Sequence, residues 1–242
     1  MIRFFSKEDS FTKEEIKEGG AFLIDKDLDW TSFDVVNKLR FQLKNFVGVK
    51  KFKVGHAGTL DPRATGLLIV CFGKATKQIT GLQNLGKEYT GSIYLGATTP
   101  TYDTESDVDQ TFDTEHIDDD LVGRTIPQFI GEIEQVPPIF SALKKNGVAM
   151  YKRARAGEQI KMDPRKVTIH SFDVEPLELP LLKFKVSCSK GTYIRSLAYD
   201  FGKAMNSGGY LSSLRRTKIG SYDVSDSMKV TEVVDKIQSH IQ

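Results

Sequence analysis

The chain has 242 residues, of which 39% are hydrophobic and 27% are charged, and its formal net charge is +2. This length allows one large domain or two small ones with a sizeable core, and the composition is that of a soluble globular protein. No run approaches the roughly 20 apolar residues that a membrane-spanning helix needs, so we expect no membrane span. The N-terminus lacks the apolar run of a signal peptide, so we expect a cytoplasmic protein.

Apolar residues that alternate or cluster with β-branched content predict several strands along the chain. These strands fall at 21–24, 66–72, 91–96, 166–172 and 181–188. Helical periodicity predicts a helix over 32–43, with Ser32 as its N-cap and Asp34 in its first turn. Further helices are predicted at 74–84, 118–130, 192–206 and 228–240. Because strands and helices mix without strict βαβ alternation, the pattern favours an α+β fold over a doubly wound parallel sheet.

Charge is distributed unevenly in two segments. Residues 101–120 contain nine acids and no Lys or Arg, whereas residues 144–166 contain eight bases and two acids. The dipeptide Asn146-Gly147 predicts a hairpin within the basic segment. A charge run is usually a solvated face, but a basic stretch that also carries Tyr151 could instead follow a phosphate backbone. Both segments are interpreted as insertions into a single domain.

Common catalytic signatures are missing from the sequence. The two cysteines, Cys71 and Cys188, lie in apolar runs where a thiol usually acts as a small core hydrophobe. The four histidines have no metal-ligand spacing, and the sequence has no GxSxG, HExxH or CxxC motif. Zinc chemistry and serine-hydrolase chemistry therefore lose their usual support.

The stretch 54–68, VGHAGTLDPRATGLL, is the most informative in the chain. Gly55 and Gly58 allow a close backbone approach or a positive φ, and the bond Asp61-Pro62 favours a turn. The apolar strand that follows would hold this loop rigidly, as a precise catalytic carboxylate requires. The residues alone leave two interpretations of Asp61 open, a catalytic group or a turn cap.

The same stretch resembles the catalytic motif of the TruB-type pseudouridine synthases, which dyskerin-type enzymes share in variant form. Other family elements follow in the same order along about residues 21–220. They are similar to GKATK (73–77), KEY (87–89), GTYIRS (191–196) and LSSLRR (211–216). The resemblance implies the pseudouridine-synthase fold, with a mixed, mainly antiparallel sheet flanked by helices. It also implies isomerisation of the uridine at position 55 in the T-loop of tRNA, without cofactor or metal.

The resemblance further implies roles for individual residues. Asp61 is the essential carboxylate, and Arg195 pairs with it and favours its ionised form. Tyr89 stacks on the extruded base and can take part in proton transfer. Tyr193 and Leu214 line the same pocket, and Lys77 contacts RNA or supports the loop. Without the resemblance, Tyr89, Tyr193 and Leu214 would be interpreted as core residues, and Arg195 as a surface charge or helix ion pair.

Flipping a base out of its stack costs a few kcal/mol, and the resemblance implies that His56 takes the vacated place in the RNA. The basic stretch resembles the family's thumb insertion, about residues 135–166, which closes on the T-stem-loop. Its positive side chains would bind phosphates while the shape of the loop gives specificity. The candidate phosphate contacts are Lys144, Lys145, Lys152, Arg153 and Arg155.

Two departures from the family pattern stand out. The opening motif usually reads KPxGxTS, but this chain has Asp27 in place of Pro and Asp29 in place of Gly, which puts the local turn in doubt. Only 23 residues follow Ile219, too few for the RNA-binding domain of the PUA type that many bacterial members carry. We therefore expect one catalytic domain over 1–242 that binds tRNA as a monomer and without an obligatory protein partner.

Two alternatives remain. A dyskerin-like subunit would choose its target through a guide RNA, but such subunits usually carry an accessory domain and a basic tail that this short chain lacks. A non-catalytic chaperone that folds the T-loop would not need Asp61, Tyr89 and Arg195, which are all intact.

Overall fold

The structure is a computed structural model that describes residues 2–141, 143–145, 148–150, 153, 156, 158 and 162–239. Its helices, numbered here in chain order, are α1 Lys13–Glu18, α2 Ser32–Val47, α3 Ile79–Gln83, α4 Asp119–Thr125, α5 Ile194–Ala204 and α6 Val230–Ser239. Short 3₁₀ helices cover Lys74–Gln78, Ile126–Phe129 and Val224–Asp226. None of the helices in these described ranges is long and apolar enough to cross a membrane.

The strands alternate with these helices along the chain. The first seven are β1 Phe4–Phe5, β2 Gly19–Lys26, β3 Val54–His56, β4 Ala64–Gly73, β5 Lys87–Leu95, β6 Ala97–Thr98 and β7 Gln110–Thr111. The others are β8 Gly131–Gln135, β9 Lys144–Lys145, β10 Val148–Ala149, β11 Arg165–Val174, β12 Leu181–Cys188, β13 Gly209–Ile219 and β14 Tyr222–Asp223. Each predicted strand is present, with ends that differ by at most four residues, as are the predicted helices at 32–43, 192–206 and 228–240. The helices predicted at 74–84 and 118–130 are each divided between a short α-helix and a 3₁₀ helix.

The chain divides into two compact units. Unit 1 comprises Met1–Tyr89 and Arg215–Gln242, and unit 2 comprises Thr90–Leu214. Strands β5 and β13 carry the chain from one unit to the other.

Unit 1 is built on a mixed sheet. Strand β1 runs parallel to β2, while β2 and β3 both pair antiparallel with β4. Successive side chains of β4 point to opposite faces, and both faces are buried. Leu68, Val70 and Phe72 join a core with α2 and α6, whereas Leu67 and Ile69 join a second cluster. Burial on both faces explains why this strand is a continuous apolar run instead of an alternating one.

Unit 2 contains an antiparallel sheet in which β11 lies between β8 and β12. Helix α5 packs on this unit through Phe201, whose ring meets Phe172 edge to face at 5.1 Å between centroids. Strand β9 pairs antiparallel with β10. This pairing is what the predicted Asn146-Gly147 hairpin requires, although those two residues themselves lie outside the described part of the chain.

The start of α2 corrects one prediction. Its N-cap is Thr31, whose side chain accepts a hydrogen bond from the Asp34 backbone while the Asp34 carboxylate accepts one from the Thr31 backbone. This capping box uses Asp34 in the first turn, as expected, but Ser32 is the first helical residue and not the cap. The sequence places two candidate caps side by side, and the reciprocal bond with Asp34 three residues later selects Thr31.

Candidate active-site loop and arginine cluster

Asp61 lies in a tight loop, residues 57–63, between β3 and β4, called here the Asp61 loop. The Ala57 N–H donates to Ile69 O at 2.9 Å and closes its base. The Ala64 N–H donates to Asp61 O at 3.0 Å, so the turn at Asp61-Pro62 is closed by the backbone carbonyl of Asp61. The backbone of Asp61 is therefore fixed by this turn.

Two fully buried cations, Arg216 and Lys26, donate hydrogen bonds to backbone carbonyls of this loop and of its neighbours. The Arg216 guanidinium donates to Leu67 O at 2.7 Å, to Gly58 O at 3.0 Å and to Thr59 O at 3.5 Å. Lys26 Nζ donates to the carbonyls of Asp27, Trp30 and Pro62 at 2.9, 2.7 and 3.5 Å. Burial lowers the pKa of Lys26 to about 8, and the charge of Asp61 is the strongest influence that opposes this change. The carboxylate therefore lies within electrostatic range of a buried ammonium group.

Ser32 also anchors the loop. Its hydroxyl donates to Leu60 O at 3.0 Å and accepts from the Leu60 N–H at 2.8 Å. Both backbone groups of the residue before Asp61 are thereby satisfied by one side chain on α2. A buried serine bound twice to a loop backbone fixes that backbone to the helix.

Two glycines make this arrangement possible. Gly58 has a φ of +121°, a conformation that L side chains rarely adopt. At Gly66, where φ is +100°, a Cβ would lie 2.3 Å from Arg216 O, so only glycine allows β4 to approach Arg216 this closely. The expectation that one of Gly55 and Gly58 takes a positive φ is confirmed for Gly58. A Cβ at Gly55 would lie 2.9 Å from the Ile79 side-chain methyl.

His56 ends β3 and is half-buried. Burial lowers the pKa of His56, the positive charge of Arg216 lowers it further, and a hydrogen bond with the Gly58 backbone opposes the change. Burial and the Arg216 charge therefore both favour the neutral imidazole.

The turn that the replacement of glycine by Asp29 put in doubt is present. Asp29 has a φ of +63°, the left-handed conformation for which glycine is the usual residue. Its N–H donates to Pro62 O at 2.9 Å, and its carboxylate accepts from Arg63 Nη1 at 2.8 Å. Asp tolerates this conformation better than most residues, so the turn survives the loss of glycine and still contacts the Asp61 loop.

The other unit 1 candidates differ in burial. Tyr89 is buried on β5, and Lys77 is exposed in the 3₁₀ helix Lys74–Gln78.

In unit 2, Arg195 is the centre of a buried cluster at the start of α5, called here the Arg195 cluster. Its guanidinium donates to Thr101 O at 3.1 Å and to Phe140 O at 2.9 Å, and its Nε lies 3.6 Å from an Asp103 carboxylate oxygen. Asp103 in turn accepts from the Thr101 hydroxyl at 2.6 Å. The interpretation of Arg195 as a surface charge is therefore wrong, because the side chain is only 4% exposed and pairs with a buried acid.

Tyr193 immediately precedes α5 and is held by Gln135. The Tyr193 N–H donates to Gln135 Oε1 at 2.7 Å, and Gln135 Nε2 donates to Tyr193 O at 3.0 Å. The guanidinium carbon of Arg165 lies 4.3 Å from the centroid of the Tyr193 ring, within the range of a cation–π contact. Leu214, at the last position of unit 2 on β13, is half-buried. Tyr193 and Leu214 are both only partly buried, so the interpretation of both as core residues, made without the resemblance, is wrong.

The thumb candidates are described only in part. Lys144 and Lys145 form β9, while Lys152 and Arg155 lie outside the described residues. Arg153 is described, and its Nε donates to a Glu158 carboxylate oxygen at 2.6 Å. This basic side chain therefore has an acidic partner from its own segment.

Sequence reasoning missed the residues that support the candidates. Lys26 and Arg216 lie in motifs that were recognised, yet nothing in an isolated Lys or Arg indicates full burial. Asp103 is one of nine acids in its segment and carries no local mark that separates it from the others. Among the described residues, no group of three or more His, Cys, Asp or Glu side chains could hold a metal ion.

Two family models together match residues 44–241. One described as "TruB family pseudouridylate synthase (N terminal domain)" matches residues 44–194, and one described as "tRNA pseudouridylate synthase B C-terminal domain" matches residues 195–241. The chain is 60% identical over 228 residues to the tRNA pseudouridine synthase B of Flavobacterium johnsoniae, covering 94% of this chain and 100% of that protein. It is 50% identical over 214 residues to the protein of the same name from Phocaeicola vulgatus, covering 88% and 91%.

Solved structures give the same fold. A chain of a Cbf5-Nop10-Gar1 complex superimposes with a TM-score of 0.68 at 27% identity, and a chain of an H/ACA RNP bound to a substrate RNA containing 2'-deoxyuridine does so with 0.66 at 26%. They cover 96% of this chain, which spans only 58% and 57% of theirs. The prediction of an α+β fold with a mixed, mainly antiparallel sheet is confirmed.

Proposed function

The chain belongs to the TruB family of pseudouridylate synthases and isomerises uridine in tRNA to pseudouridine, and from this premise we propose that its target is the uridine at position 55 in the T-loop. The observation that supports an active enzyme is the Asp61 loop. Buried Lys26, Arg216 and Ser32 all bind backbone groups of this loop, so the backbone that carries the Asp61 carboxylate is fixed, which supports a precisely placed catalytic group.

In the proposed reaction, Asp61 acts on the uridine and the glycosidic bond between uracil N1 and ribose C1′ breaks. The uracil then rotates and forms a new bond from C5 to C1′, and the C5 proton is lost while N1 gains a proton, both by exchange with solvent. Bonds made and broken balance within one nucleotide, so no redox partner or energy source is needed. Attack of Asp61 at C1′, addition at C6 and a glycal intermediate all satisfy this balance.

The remaining roles follow the family resemblance. We assign Tyr89 to the flipped base, His56 to the place it vacates, and Arg195 to the cation that the family pairs with the catalytic aspartate. Tyr193 and Leu214 are assigned to the base pocket, and Lys77 to the RNA or to support of the loop. The buried contacts of Arg195 with Asp103, Thr101 and Phe140 support its assignment, because they hold the guanidinium in one orientation inside unit 2.

The guide-dependent alternative has weaker support. Its representatives among the solved structures are 27% identical or less and are much longer than this chain, whereas relatives named tRNA pseudouridine synthase B match along nearly their whole length. We therefore propose a stand-alone cytoplasmic enzyme that acts as a monomer through a single catalytic domain with a thumb over about residues 135–166. Size-exclusion chromatography with light scattering tests the oligomeric state.

Pseudouridine mapping tests the target directly. Unmodified tRNA transcript is incubated with the purified protein, and pseudouridines are located by carbodiimide-dependent reverse-transcription stops. We expect one new stop at position 55, in whole tRNA and in an isolated T-arm stem-loop alike. A transcript with cytidine at position 55 is the matched control. Conversion at another position, or only after a guide RNA is added, would contradict the proposal.

A further inference from the structure

A second basic surface lies outside the thumb and outside the Asp61 loop. Residues 35–60 contain six Lys or Arg and no Asp or Glu. These bases begin on α2 and end at Lys53, the residue before β3. We define the α2–β3 basic surface as Arg40, Lys44, Lys50, Lys51 and Lys53 together with the aromatic residues Phe33 and Phe41.

The helical part of this surface follows one face of α2. Positions 33, 37, 40 and 44 are spaced as one helical stripe, and Phe41 lies beside it. Phe33 is 60% exposed and Phe41 is 58% exposed, the two largest exposures of phenylalanine among the described residues. The surface therefore carries an accessible ring beside Arg40 and Lys44 and a second ring about two turns nearer the N-terminus of α2.

The second part of the surface is the connection from α2 to β3. Gly48 ends α2 in the left-handed conformation, and Lys50, Lys51 and Lys53 follow, all exposed. Arg40 Nη2 donates to Val54 O at 3.1 Å and fixes the start of β3 to the helix. The end of the connection is thus bound to α2 just before His56.

An alternative explanation of these lysines is that they stabilise the dipole at the C-terminus of α2 or are ordinary solvated surface charges. Other exposed lysines of unit 1 are paired with acidic side chains. Lys7 pairs with Glu232, Lys17 with Glu14 and Lys74 with Glu18. Across the described residues, no acid pairs with Lys44, Lys50, Lys51 or Lys53, so their charge remains available. Neither the dipole nor solvation explains two exposed phenylalanine rings on the same helix.

Building on the proposed function, we propose that the α2–β3 basic surface binds the T-arm of the substrate RNA next to the flipped uridine. Lys53 precedes His56 by three residues of extended chain, about 10 Å, so these lysines lie within a few nucleotides of the base that His56 replaces. The lysines contact phosphates, and Phe33 or Phe41 stacks on an unpaired base of the loop.

The test uses two triple variants with equal loss of charge. Lys50, Lys51 and Lys53 are replaced by Gln in one, and Lys13, Lys17 and Lys74 in the other. Binding of a T-arm stem-loop and of whole tRNA is measured across a salt series. Each phosphate that the protein no longer neutralises lowers the slope of log K against log salt by roughly 0.7–0.9, so we expect the slope to fall by about 2 in the first variant and to change little in the second.

Two further variants separate RNA stacking from other uses of the apolar rings. Phe33→Ala and Phe41→Ala should leave folding intact because both rings are exposed, and at least one should weaken stem-loop binding by roughly fivefold or more. Conversion at saturating enzyme should stay near that of the wild type. A protein that binds the stem-loop in this way but modifies another position would disprove the proposed target and leave this inference intact.

Several results would overturn the inference. An unchanged slope in the first triple variant would mean that the lysines form an ordinary solvated face. A lower melting temperature of the same variant would mean that the lysines serve the dipole of α2. Equal decreases of the slope in both variants mean a general effect of net charge. Loss of binding to whole tRNA but not to the stem-loop places the interaction elsewhere on the RNA. Phenylalanine variants that change the oligomeric state but not RNA affinity identify a protein interface.

Discussion

The basic residues of this protein fall into two groups that differ in what surrounds them. Lys26 and Arg216 are fully buried beneath the Asp61 loop, and each donates to backbone carbonyls. Lys50, Lys51 and Lys53, the last only about 10 Å along the chain from His56, are exposed. The same residue types therefore have two uses near one site, and burial decides between them.

The difference has an energetic reason. A buried cation costs desolvation energy that its hydrogen bonds must offset, so it persists only where it fixes the surrounding backbone. An exposed cation has no such cost, contributes little to the fold, and keeps its hydrogen-bond donors for a phosphate. Substitution of the buried group should therefore change stability and positioning, whereas substitution of the exposed group should change RNA affinity and its salt dependence.

Asp61→Asn is expected to have the largest effect of any substitution here. Asn keeps the shape of the side chain but loses the negative charge, so pseudouridine formation should disappear while tRNA binding stays within a few-fold of the wild type. Single-turnover conversion with purified, contaminant-free protein is the measurement, and filter binding is the control. Turnover near the wild-type rate would remove Asp61 from its catalytic assignment.

Arg216→Met and Arg215→Met compare the two environments at adjacent positions. Loss of Arg216 leaves buried carbonyls of Leu67 and Gly58 unpaired, so we expect a cost of about 3 kcal/mol in the free energy of unfolding. Arg215 makes a partly exposed bidentate pair with Asp25, for which about 1 kcal/mol is expected. Urea denaturation measures both. Equal costs would contradict the role of burial.

The buried Lys26 should make the stability of the protein depend on pH. Burial holds its folded pKa at about 8, below the unfolded value near 10.5, so between these values the unfolded chain binds more protons than the native one. Stability should therefore rise with pH across this window, by roughly 2–3 kcal/mol relative to Lys26→Met, which has no proton to lose. Urea denaturation of both proteins at pH 7 to 10.5 measures the difference.

If Lys26→Met fails to fold, the wild type still provides a test. Its lysine side chains can be followed by NMR through the ¹³Cε shift, and one lysine should titrate near pH 8 while exposed lysines titrate above pH 10. A spectrum in which every lysine titrates above pH 10 would show that Lys26 is not desolvated in solution.

The sequence was sufficient for the fold and for the position of the Asp61 loop, because both depend on patterns that repeat along the chain or match a long motif. It was insufficient for Asp103, Lys26 and Arg216, whose importance comes from burial by residues distant in sequence. Periodicity shows which apolar residues face the core, but it cannot show that a charged residue lies there too. The wrong N-cap at Ser32 has a related cause, since Ser32 binds the backbone of Leu60, 28 residues away.

The thumb should show the smallest effects, and its positions are not equivalent. Replacement of Lys152 and Arg155 by Gln should lower the slope of log K against log salt by roughly 0.7–0.9 for each phosphate that these side chains neutralise in the wild type. Arg153→Gln should change it less, because Arg153 already pairs with Glu158 and must release that carboxylate before it can bind phosphate. Glu158→Gln frees the guanidinium and should raise RNA affinity slightly.

Measurement of tRNA binding across a salt series, followed by single-turnover assays at saturating enzyme, separates the possible outcomes for these thumb variants. Conversion should be little affected once RNA is saturating, because the Asp61 loop and the Arg195 cluster are unchanged. An unchanged slope in the Lys152 and Arg155 double variant would make the thumb a solvated face. If the slope changes as expected but conversion is abolished at saturating enzyme, the thumb helps to assemble the active site. Exposed cations of this protein would then contribute to catalysis as well as to RNA affinity.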